Sequence, residues 1–403
     1  MTFATPKFIQ IHFLAAWPGA LLNRDDAGLA KRLPFGGATR TRISSQCLKR
    51  HWRCADDQYH DRALRVLAQE NGVEGVRSKN TIERAVTGPL KGRFNDDAVD
   101  AVQLAFLTKF YGKNAKDPQK RQALLFGRPE INWMRSEAER LLSESGGSAA
   151  AAKAAAELWV NEKKNNLNQL REQTVLSNSL EAALFGRMVT SDPSANTDAA
   201  IHVAHAFTVH EEQPELDYFT VVDDLNDRAA GDDAGAAGIF DTELTSGLYY
   251  GYVVIDVPLL VSNLTGCKRG DWAGDQDRDL AARVVENLVH LIAEVSPGAK
   301  KGSTAPYSRA ELVLVEAGDR QPRTLANAFR DPVLLADPKS NRGLGFRTAE
   351  ALTAHLSAMD DAYATGEARR QMALPDLALA DVARANLADL AAWAGGIVRT
   401  ASI

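Results

Sequence analysis

A short segment near the amino end, Phe35 to Arg53, has the residue types and spacing of a phosphate-binding site. Gly36 and Gly37 have no side chain, so backbone amides there can approach a ligand closely. Ser44 and Ser45 stand where a helix would begin, and unpaired N–H groups and the helix dipole attract anions at such a point. The chemistry that this segment indicates is therefore anion binding.

The helix predicted after these serines extends the basic surface. Residues 46–55 have helical spacing, with Leu48, Trp52 and Ala55 on one face. The opposite face and its edge carry side chains that can bind phosphates: Gln46, Lys49, Arg50 and Arg53. A row of this length suits a chain of phosphates better than a single one, although a solvated surface helix would have the same pattern.

The basic charge of the chain is concentrated in the same region. The protein has 403 residues and a net charge of −5, yet residues 23–53 hold eight basic and two acidic side chains. This stretch is therefore +6 and the rest of the chain −11. Such a distribution indicates a local site for a polyanion, on a body whose negative charge limits indiscriminate nucleic-acid binding.

The sequence gives little support to other chemistry. The P-loop pattern, the dinucleotide-binding glycine pattern and the aromatic boxes of RNA-recognition sheets are missing, so we expect neither nucleotide hydrolysis nor standard base stacking on the sheet. The three cysteines form no C-x-x-C pair, and their odd number fits a reducing cytoplasm better than a disulfide framework. No stretch has the length and apolar character of a membrane span or a secretory signal, so we expect no membrane partner.

Three histidines and several pairs of adjacent aspartates are candidates for catalytic or metal sites. His202, His205 and His210 are the best candidates, but no carboxylate or cysteine joins them at ligand spacing, which favours a structural or surface role. General acid–base cleavage of RNA by these histidines is compatible with the sequence, which names no partner to orient them. Adjacent aspartates such as Asp25-Asp26 point to opposite faces of a strand, so we predict no metal centre.

The order of predicted elements indicates an α+β protein with insertions. Residues Phe8–Leu14 read as a strand and are followed by the basic, glycine-containing loop and the helix described above. Helical, alanine-rich and charged segments then run from about Gln58 to Gln173, including Val99–Tyr111 and Ala149–Leu170. We interpret this part as a helical insertion that is broken at Gly146-Gly147.

The second half of the chain returns to strands. Tyr218–Val222 and Leu248–Ile255 flank the acidic, glycine-rich stretch Ala229–Gly238 and predict a long hairpin. Asp279–Val295 has the apolar stripe of an amphipathic helix, and the predicted strand Leu312–Val315 follows it. Outside the insertions, this order is compatible with a ferredoxin-like or RNA-recognition-type sheet.

Two apolar features could contact bases. Tyr218 and Phe219 are adjacent in the predicted hairpin, so a hairpin that projects from the body should expose one of the two rings. An exposed ring can stack on a base, or it can pack against a neighbouring subunit. Met188, next to Arg187, is either core filler or a surface on which a base rests.

Taken together, these segments closely resemble the CasC backbone subunit of the type I-E CRISPR surveillance complex, Cascade. The first group of matching motifs is Asn23-Arg24-Asp25-Asp26, Phe35-Gly36-Gly37, Arg42-Ile43-Ser44-Ser45-Gln46 and Leu48-Lys49-Arg50. The second group is Gly186-Arg187-Met188, Ala204-His205-Ala206, Phe219-Thr220 with Val222-Asp223-Asp224, Ser246-Gly247, Pro297-Gly298-Ala299-Lys300 and Ala326-Asn327-Ala328-Phe329. Each motif is weak alone, but the ordered set is specific and extends from the first strand to about residue 330.

The resemblance implies a protein shaped like a right hand. Its palm would have an RNA-recognition-type (ferredoxin-like) fold, with a large helical fingers insertion and a β-hairpin thumb. By position, the palm would comprise residues 1–57, 179–211 and 245–403, the last part including a C-terminal helix. The fingers would comprise residues 58–178 and the thumb residues 212–244.

The resemblance also implies which residues contact nucleic acid. Guide-RNA phosphates would be bound by Arg24, Lys31, Gln46, Lys49, Arg50 and Arg53. The pocket for the RNA backbone would be shaped by Gly37, Ser44 and Ser45. A displaced nucleotide would be flanked by Arg187, Met188, Tyr218 and Phe219. The loop facing target DNA would present Lys300 and Lys301.

The function implied by the resemblance is that of a non-catalytic CRISPR RNA-binding subunit in cytoplasmic antiviral defence. Several copies, with other Cascade subunits, would assemble along the guide and present it for pairing with target DNA, without a cofactor or a catalytic residue. The alternative is a CRISPR RNA-processing endoribonuclease using His205 or His210, since related folds in CRISPR systems include such enzymes. A general single-strand-binding protein is a third interpretation, and it would carry RNA of arbitrary length.

Overall fold

The computed structural model of the chain describes residues 5–55, 60–161, 179–188, 196–221, 238–364 and 366–402. Three predicted features lie partly or wholly outside these residues: the end of the helix predicted over Ala149–Leu170, Val222 with the aspartates that follow it, and the glycine-rich stretch from Ala229. Among the described helices, none has both the length and the apolar character needed to cross a bilayer.

A large mixed sheet forms the centre of the molecule. The strands of the described residues are β1 (Phe8–Ala20), β2 (Arg32–Phe35), β3 (Ala38–Ile43), β4 (Gly75–Ser78), β5 (Leu124–Gly127), β6 (Ile201–Val203), β7 (Ala206–Thr208), β8 (Pro214–Val221), β9 (Gly238–Asp256), β10 (Ala310–Gly318), β11 (Ala368–Ala373) and β12 (Ala383–Arg384). Ten of them form the main sheet in the order β12-β11-β10-β1-β9-β7-β3-β2, with β6 and β8 also paired to β9. The neighbours in this sheet are antiparallel except for β11 and β12.

Helices lie on the faces of this sheet and in the inserted region. They are α1 (Ser45–Cys54), α2 (Leu64–Glu70), α3 (Asp96–Tyr111), α4 (Arg128–Glu144), α5 (Ala149–Asn161), α6 (Leu180–Phe185), α7 (Val257–Thr265), α8 (Asp279–Glu294), α9 (Lys301–Thr304), α10 (Leu344–Tyr363) and α11 (Leu387–Thr400). Short 3-10 turns such as Ala326–Phe329 and one π-helical turn, Ile82–Thr87, join several of them.

β1 lies between β9 and β10 and has two different buried faces. Ile11 and Phe13 belong to a core that helices cover, whereas Leu14 belongs to the core on the opposite side, where His12 also points. This alternation is the period of a strand whose two faces are both covered. The predicted strand is confirmed, and it continues to Ala20.

α1 and α8 cover one face of the sheet. Leu48 and Trp52 of α1 and Leu288 of α8 are buried in the same core, to which α11 also contributes. The two amphipathic helices predicted from their apolar stripes are therefore confirmed, because each stripe has a sheet to pack against.

The opposite face of the central strands is closed as well. The segment Ala326–Phe329 and α10 cover it, and Phe329 is fully buried. Beneath them, Glu316 of β10 accepts hydrogen bonds from His12 at 2.9 Å and from Arg323 at 2.6 Å. Burial opposes the ionisation of Glu316, but these hydrogen bonds outweigh it and hold the pKa of Glu316 well below its usual range. This face is therefore not an open platform on which bases could stack.

The region from residue 60 to residue 161 has a core of its own. α3, α4 and α5 pack together there, with Phe106 against Trp159 edge to face at a centroid distance of 4.4 Å. The predicted helix over Val99–Tyr111 is confirmed, and Gly146 and Gly147 separate α4 from α5 with positive φ angles of 58° and 84°. The small sheet of β4 and β5 was not predicted, since its strands have only four residues each.

Two hairpins extend the main sheet. β8 pairs with the first part of β9 from Pro214↔Thr245 to Val221↔Gly238, and every residue of β8 is exposed. A hairpin is therefore present, but its second strand is residues 238–245 and not the predicted Leu248–Ile255, which pairs with β1, β6 and β7. β2 and β3 form a second hairpin where we expected a loop. That expectation was wrong because Gly36 and Gly37, with φ angles of 63° and 79°, join two short strands in a two-residue turn.

Candidate nucleic-acid interface

The start of α1 is fixed by residues from two distant parts of the chain. The Ser44 side chain caps the helix by accepting a hydrogen bond from the Cys47 amide, and the Ser44 amide donates to Asn23 Oδ1 at 2.9 Å. The Ser45 amide donates to Nδ1 of His205 at 2.9 Å. The two serines thus shape the helix start, as the sequence predicted. Because the Ser45 amide donates to His205, it is not free to bind an anion.

Basic side chains surround this helix start. Burial first, and then the charges of Arg42, Lys31 and Lys49, lower the pKa of His205. Two backbone hydrogen bonds help to hold them: the Lys31 amide donates to the Asn23 carbonyl at 3.0 Å, and the Arg42 amide donates to the Lys31 carbonyl at 2.8 Å. The first turn of α1 contains no acidic residue. This arrangement concentrates positive charge at a helix N-terminus, where an anion is favoured.

His205 and Arg42 are functional candidates that the predicted set of RNA contacts does not include. Because Nδ1 of His205 accepts the Ser45 amide, the neutral ring carries its proton on Nε2, where it can donate to a ligand. The sequence signal was present, since both residues lie in the motifs of the resemblance, but their contact with the helix start depends on the tertiary fold.

The outer part of the basic strip is open to solvent. Arg24, Gln46 and Arg50 are exposed. Lys49 is partly buried, and burial lowers the pKa of its ammonium group. We call these residues, together with those at the helix start, the basic surface; its members are Arg24, Lys31, Arg42, Ser44, Ser45, Gln46, Lys49, Arg50 and His205.

Arg53 and Gly37 are not members of the basic surface. Arg53 donates to Oε1 of Glu181 at 2.7 Å, so its guanidinium joins α1 to α6. Gly37 lies at the far end of β3, about 20 Å from the start of α1 at the usual rise of a strand. A Cβ atom on the adjacent Gly36 would lie 1.5 Å from the carbonyl oxygen of Arg330, so this turn is packed against the segment that follows Phe329.

Arg187 and Met188 have opposite environments. The Arg187 side chain is 2% exposed and pairs with Glu130 of α4 at 2.7 Å. Met188 is 69% exposed. Arg187 therefore does not reach the surface, which contradicts its predicted position beside a nucleotide; its guanidinium instead anchors the segment that presents Met188.

The projecting hairpin exposes both of its adjacent rings, where we expected one. Tyr218 is 63% and Phe219 41% exposed, on opposite faces of β8. Phe219 stacks on Phe240 with a centroid distance of 5.5 Å. Lys300 lies 5.7 Å from the centre of the Phe219 ring and donates to Thr242, so it packs against this hairpin, whereas Lys301 is exposed.

The histidines do not converge on a common site. The ring of His202 lies against the Ala199 carbonyl, and both ring nitrogens of His210 are bound by the backbone, one to the Glu211 carbonyl and the other by the Leu248 amide. His210 therefore has no ring nitrogen left for proton transfer. Within the described ranges, no three histidine, cysteine, aspartate or glutamate side chains are placed to hold a metal ion.

Two solved structures are similar to this chain over nearly its whole length. A solved chain described as "CRISPR RNA-guided surveillance complex, pre-nicking" is 22% identical with a TM-score of 0.68, and the alignment covers 96% of this chain and 100% of that chain. A second, described as "CRISPR RNA-guided surveillance complex", is 19% identical with a TM-score of 0.53, covering 96% and 99%. At these identities the likeness shows a shared fold.

Sequence comparison adds the family. No curated protein sequence matches the chain. The sequence profile of one family does match, over residues 9–393 and thus over nearly the whole length. The chain belongs to the CT1975-like protein family.

Proposed function

We propose that this protein is the guide-RNA-binding backbone subunit of a CRISPR surveillance complex, the CasC subunit of a type I-E Cascade. The observation that carries the proposal is the basic surface at the start of α1, on a fold shared with chains of RNA-guided surveillance complexes. Membership of the CT1975-like family is consistent with this role. In it, several copies bind along one guide RNA in the cytoplasm, together with other Cascade subunits.

Three parts of the fold support the proposed division into palm, fingers and thumb. The strands β10, β1, β9 and β6 are neighbours in that order, with α1 and α8 on one face, and this order supports the proposal of a ferredoxin-like palm. The helical region from residue 60 to residue 161 suits the fingers, and the exposed hairpin of β8 and β9 suits the thumb. Met188, Tyr218 and Phe219, all exposed, are available to flank a displaced nucleotide.

The proposed mechanism is phosphate binding without sequence readout. Lys31, Arg42 and Lys49 bind the guide backbone, and neutralising phosphates gives an affinity that does not depend on base identity. Sequence discrimination is then left to Watson–Crick pairing with target DNA, as in other RNA-guided systems. In this mechanism, Lys300 and Lys301 face the target strand, and the subunit itself cleaves no nucleic acid.

A double substitution tests the basic surface. Lys49→Ala with Arg50→Ala removes two phosphate contacts, so we expect binding of any single-stranded RNA to weaken about ten-fold at physiological salt, whatever its sequence. The slope of log K against log salt should become shallower by about 1.4, since each phosphate contact on a single strand contributes about 0.7. Fluorescence anisotropy of labelled RNA over a salt series measures both.

Lys268→Ala with Arg320→Ala is the matched control. Both side chains are exposed, and they follow α7 and β10 at the end of the sheet where β1 begins, away from Asn23. Unchanged RNA affinity in Lys49→Ala/Arg50→Ala, or an equal loss in the control, would contradict the proposal. Cleavage of repeat RNA that His205→Ala abolishes would instead favour the endoribonuclease.

A further inference from the structure

A pocket of about 370 Å³ lies where the end of α1 meets the inserted region. Its walls come from α1, α2, β4 and α6 and from the first residue of α4. Its charged side chains are Arg53, Arg65, Arg77, Arg128, Glu74 and Glu181. The volume is in the range of sites for small organic ligands.

The charged groups of this pocket leave an excess of positive charge. Arg53 and Arg77 both donate to the same oxygen, Oε1 of Glu181, each at 2.7 Å. Two guanidinium groups thus share one carboxylate. Arg128 and Glu74 lie 3.8 Å apart, beyond hydrogen-bond distance. Arg53, Arg77 and Glu181 together carry a net charge of +1, so this side of the pocket favours an anion.

The rest of the lining is apolar. Leu64 and Ala68 of α2 face the pocket on one side, and Leu184 and Phe185 of α6 contribute on the other. Leu64, Ala68 and Leu184 are buried in the core, whereas Phe185 is partly exposed and offers a ring surface that an inorganic anion would leave without a partner. A ligand with both an anionic group and a flat apolar group would use both parts of the lining.

We infer that this pocket binds a nucleoside monophosphate unit, with its phosphate against Arg53 and Arg77 and its base between α2 and α6. The unit is either a free nucleotide or a nucleotide of a bound RNA, because Arg53 follows Arg50 of the basic surface by one helical turn. Binding of the free nucleotide does not depend on the proposed function; binding of an RNA nucleotide rests on it.

Cys54 provides the readout for a test. It is exposed and lines the pocket. Cys47 and Cys267 are partly buried, and burial raises the pKa of the Cys47 thiol to about 11, so Cys47 reacts slowly at neutral pH. Replacing Cys47 and Cys267 by serine leaves one thiol, whose alkylation by N-ethylmaleimide reports on occupancy of the pocket.

Adenosine monophosphate, adenosine and inorganic phosphate are compared as ligands of the full-length protein freed of RNA. At about ten times its Kd, adenosine monophosphate should slow alkylation about ten-fold, and adenosine or phosphate alone should have a much smaller effect at the same concentration. Arg77→Ala should weaken the protection about ten-fold. Arg140→Ala is the control, since Arg140 lies about three turns farther along α4 and pairs with Glu137 and Glu144.

A single-stranded RNA, tested in the same way, distinguishes a free nucleotide from a nucleotide of a bound RNA as the ligand of the pocket. Protection by adenosine monophosphate that depends on Arg77 supports the inference with a free nucleotide, and protection by RNA alone that depends on Arg77 supports it with an RNA nucleotide. Absence of protection by either ligand, equal protection by phosphate, or protection that survives Arg77→Ala would overturn it. Because anisotropy measures RNA affinity separately, protection by adenosine monophosphate in a protein that binds no RNA would reject the proposed function and retain the pocket.

Discussion

The imidazole of His205 joins the main sheet to the start of α1. The residue lies between β6 and β7, and its Nδ1 accepts the amide of Ser45, which is 160 positions earlier in the chain. From the sequence, His205 was a candidate for a metal ligand or an acid–base catalyst, because residue type alone says nothing about such a distant partner. Ser44, by contrast, could be assigned as a cap, since capping depends on residues within one turn.

The environment of His205 predicts a pH dependence of RNA binding. Burial, Arg42, Lys31 and Lys49 lower the pKa of the ring in the free protein, so it is neutral at pH 7. A phosphate bound at Nε2 favours the protonated form and raises this pKa, so RNA binding takes up a proton. Affinity should therefore increase as the pH falls from the pKa of the RNA-bound ring towards the lower pKa of the free ring, by at most about ten-fold for each unit by which RNA raises the pKa.

The variant His205→Gln should lose this increase while binding RNA at pH 7.5 with nearly normal affinity. Anisotropy titrations at pH 7.5, 6.5 and 5.5 at constant ionic strength measure the effect. His202→Gln is the control, because His202 is exposed and its ring lies against the Ala199 carbonyl instead of the helix start. If His205→Gln kept the full increase and His202→Gln lost it, the proton uptake would belong to another site.

At the scale of elements, long amphipathic segments could be predicted and short paired strands could not. β1, α1 and α8 each have a periodic apolar face that matches the core they cover. β2 has four residues, including Pro34, and carries no such period. The signal that could have found this hairpin is the two-glycine turn of Gly36 and Gly37, which suits the positive φ angles of a tight hairpin.

The pair of Arg187 and Glu130 connects the segment after α6 to α4, two parts of the chain that were predicted to belong to the palm and the fingers. Both side chains are buried, and Glu130 also accepts a hydrogen bond from the Gly127 amide at the start of α4. Arg187→Ala would leave a buried carboxylate without its cation, so we expect the free energy of unfolding to fall by about 3–5 kcal/mol. Urea denaturation followed by circular dichroism measures the loss.

Arg140→Ala, on the exposed side of the same helix, should change the free energy of unfolding by less than about 0.5 kcal/mol. The double variant Arg187→Met/Glu130→Met should recover much of the stability, because it removes both buried charges. A loss below about 1 kcal/mol in Arg187→Ala would show that the pair is not what holds the segment before Met188.

At the scale of the whole molecule, the sequence predicted where basic charge is concentrated, but it did not predict the contacts between distant segments. The excess of basic residues between positions 23 and 53 predicted the basic surface, because a cluster of like charges can be identified from the sequence without knowledge of the fold. Arg53 belongs to the same excess, yet it binds Glu181 of α6, which follows the inserted region. Which cations stay open depends on contacts between segments more than a hundred residues apart, and no local pattern encodes them.

The projecting hairpin should be required for assembly along RNA but not for folding. Its base is part of the body, since Arg32 pairs with both Glu212 and Glu243, so the deletion must leave these residues in place. Asp217 and Thr242 are cross-strand neighbours. Replacing residues 218–241 by Asn-Gly closes the shortened hairpin with a favourable two-residue turn.

We expect this variant to remain folded, with a thermal midpoint within a few degrees of the full-length protein, because every residue of β8 is exposed. It should bind a short RNA through the basic surface with nearly unchanged affinity. On RNAs of increasing length, mass photometry should show stepwise addition of copies of the full-length protein, and loss of the cooperative filling of neighbouring sites in the variant. Tyr218→Ala/Phe219→Ala distinguishes loss of the two rings from loss of the whole hairpin. Cooperative filling by the shortened variant would mean that copies contact one another through a different surface.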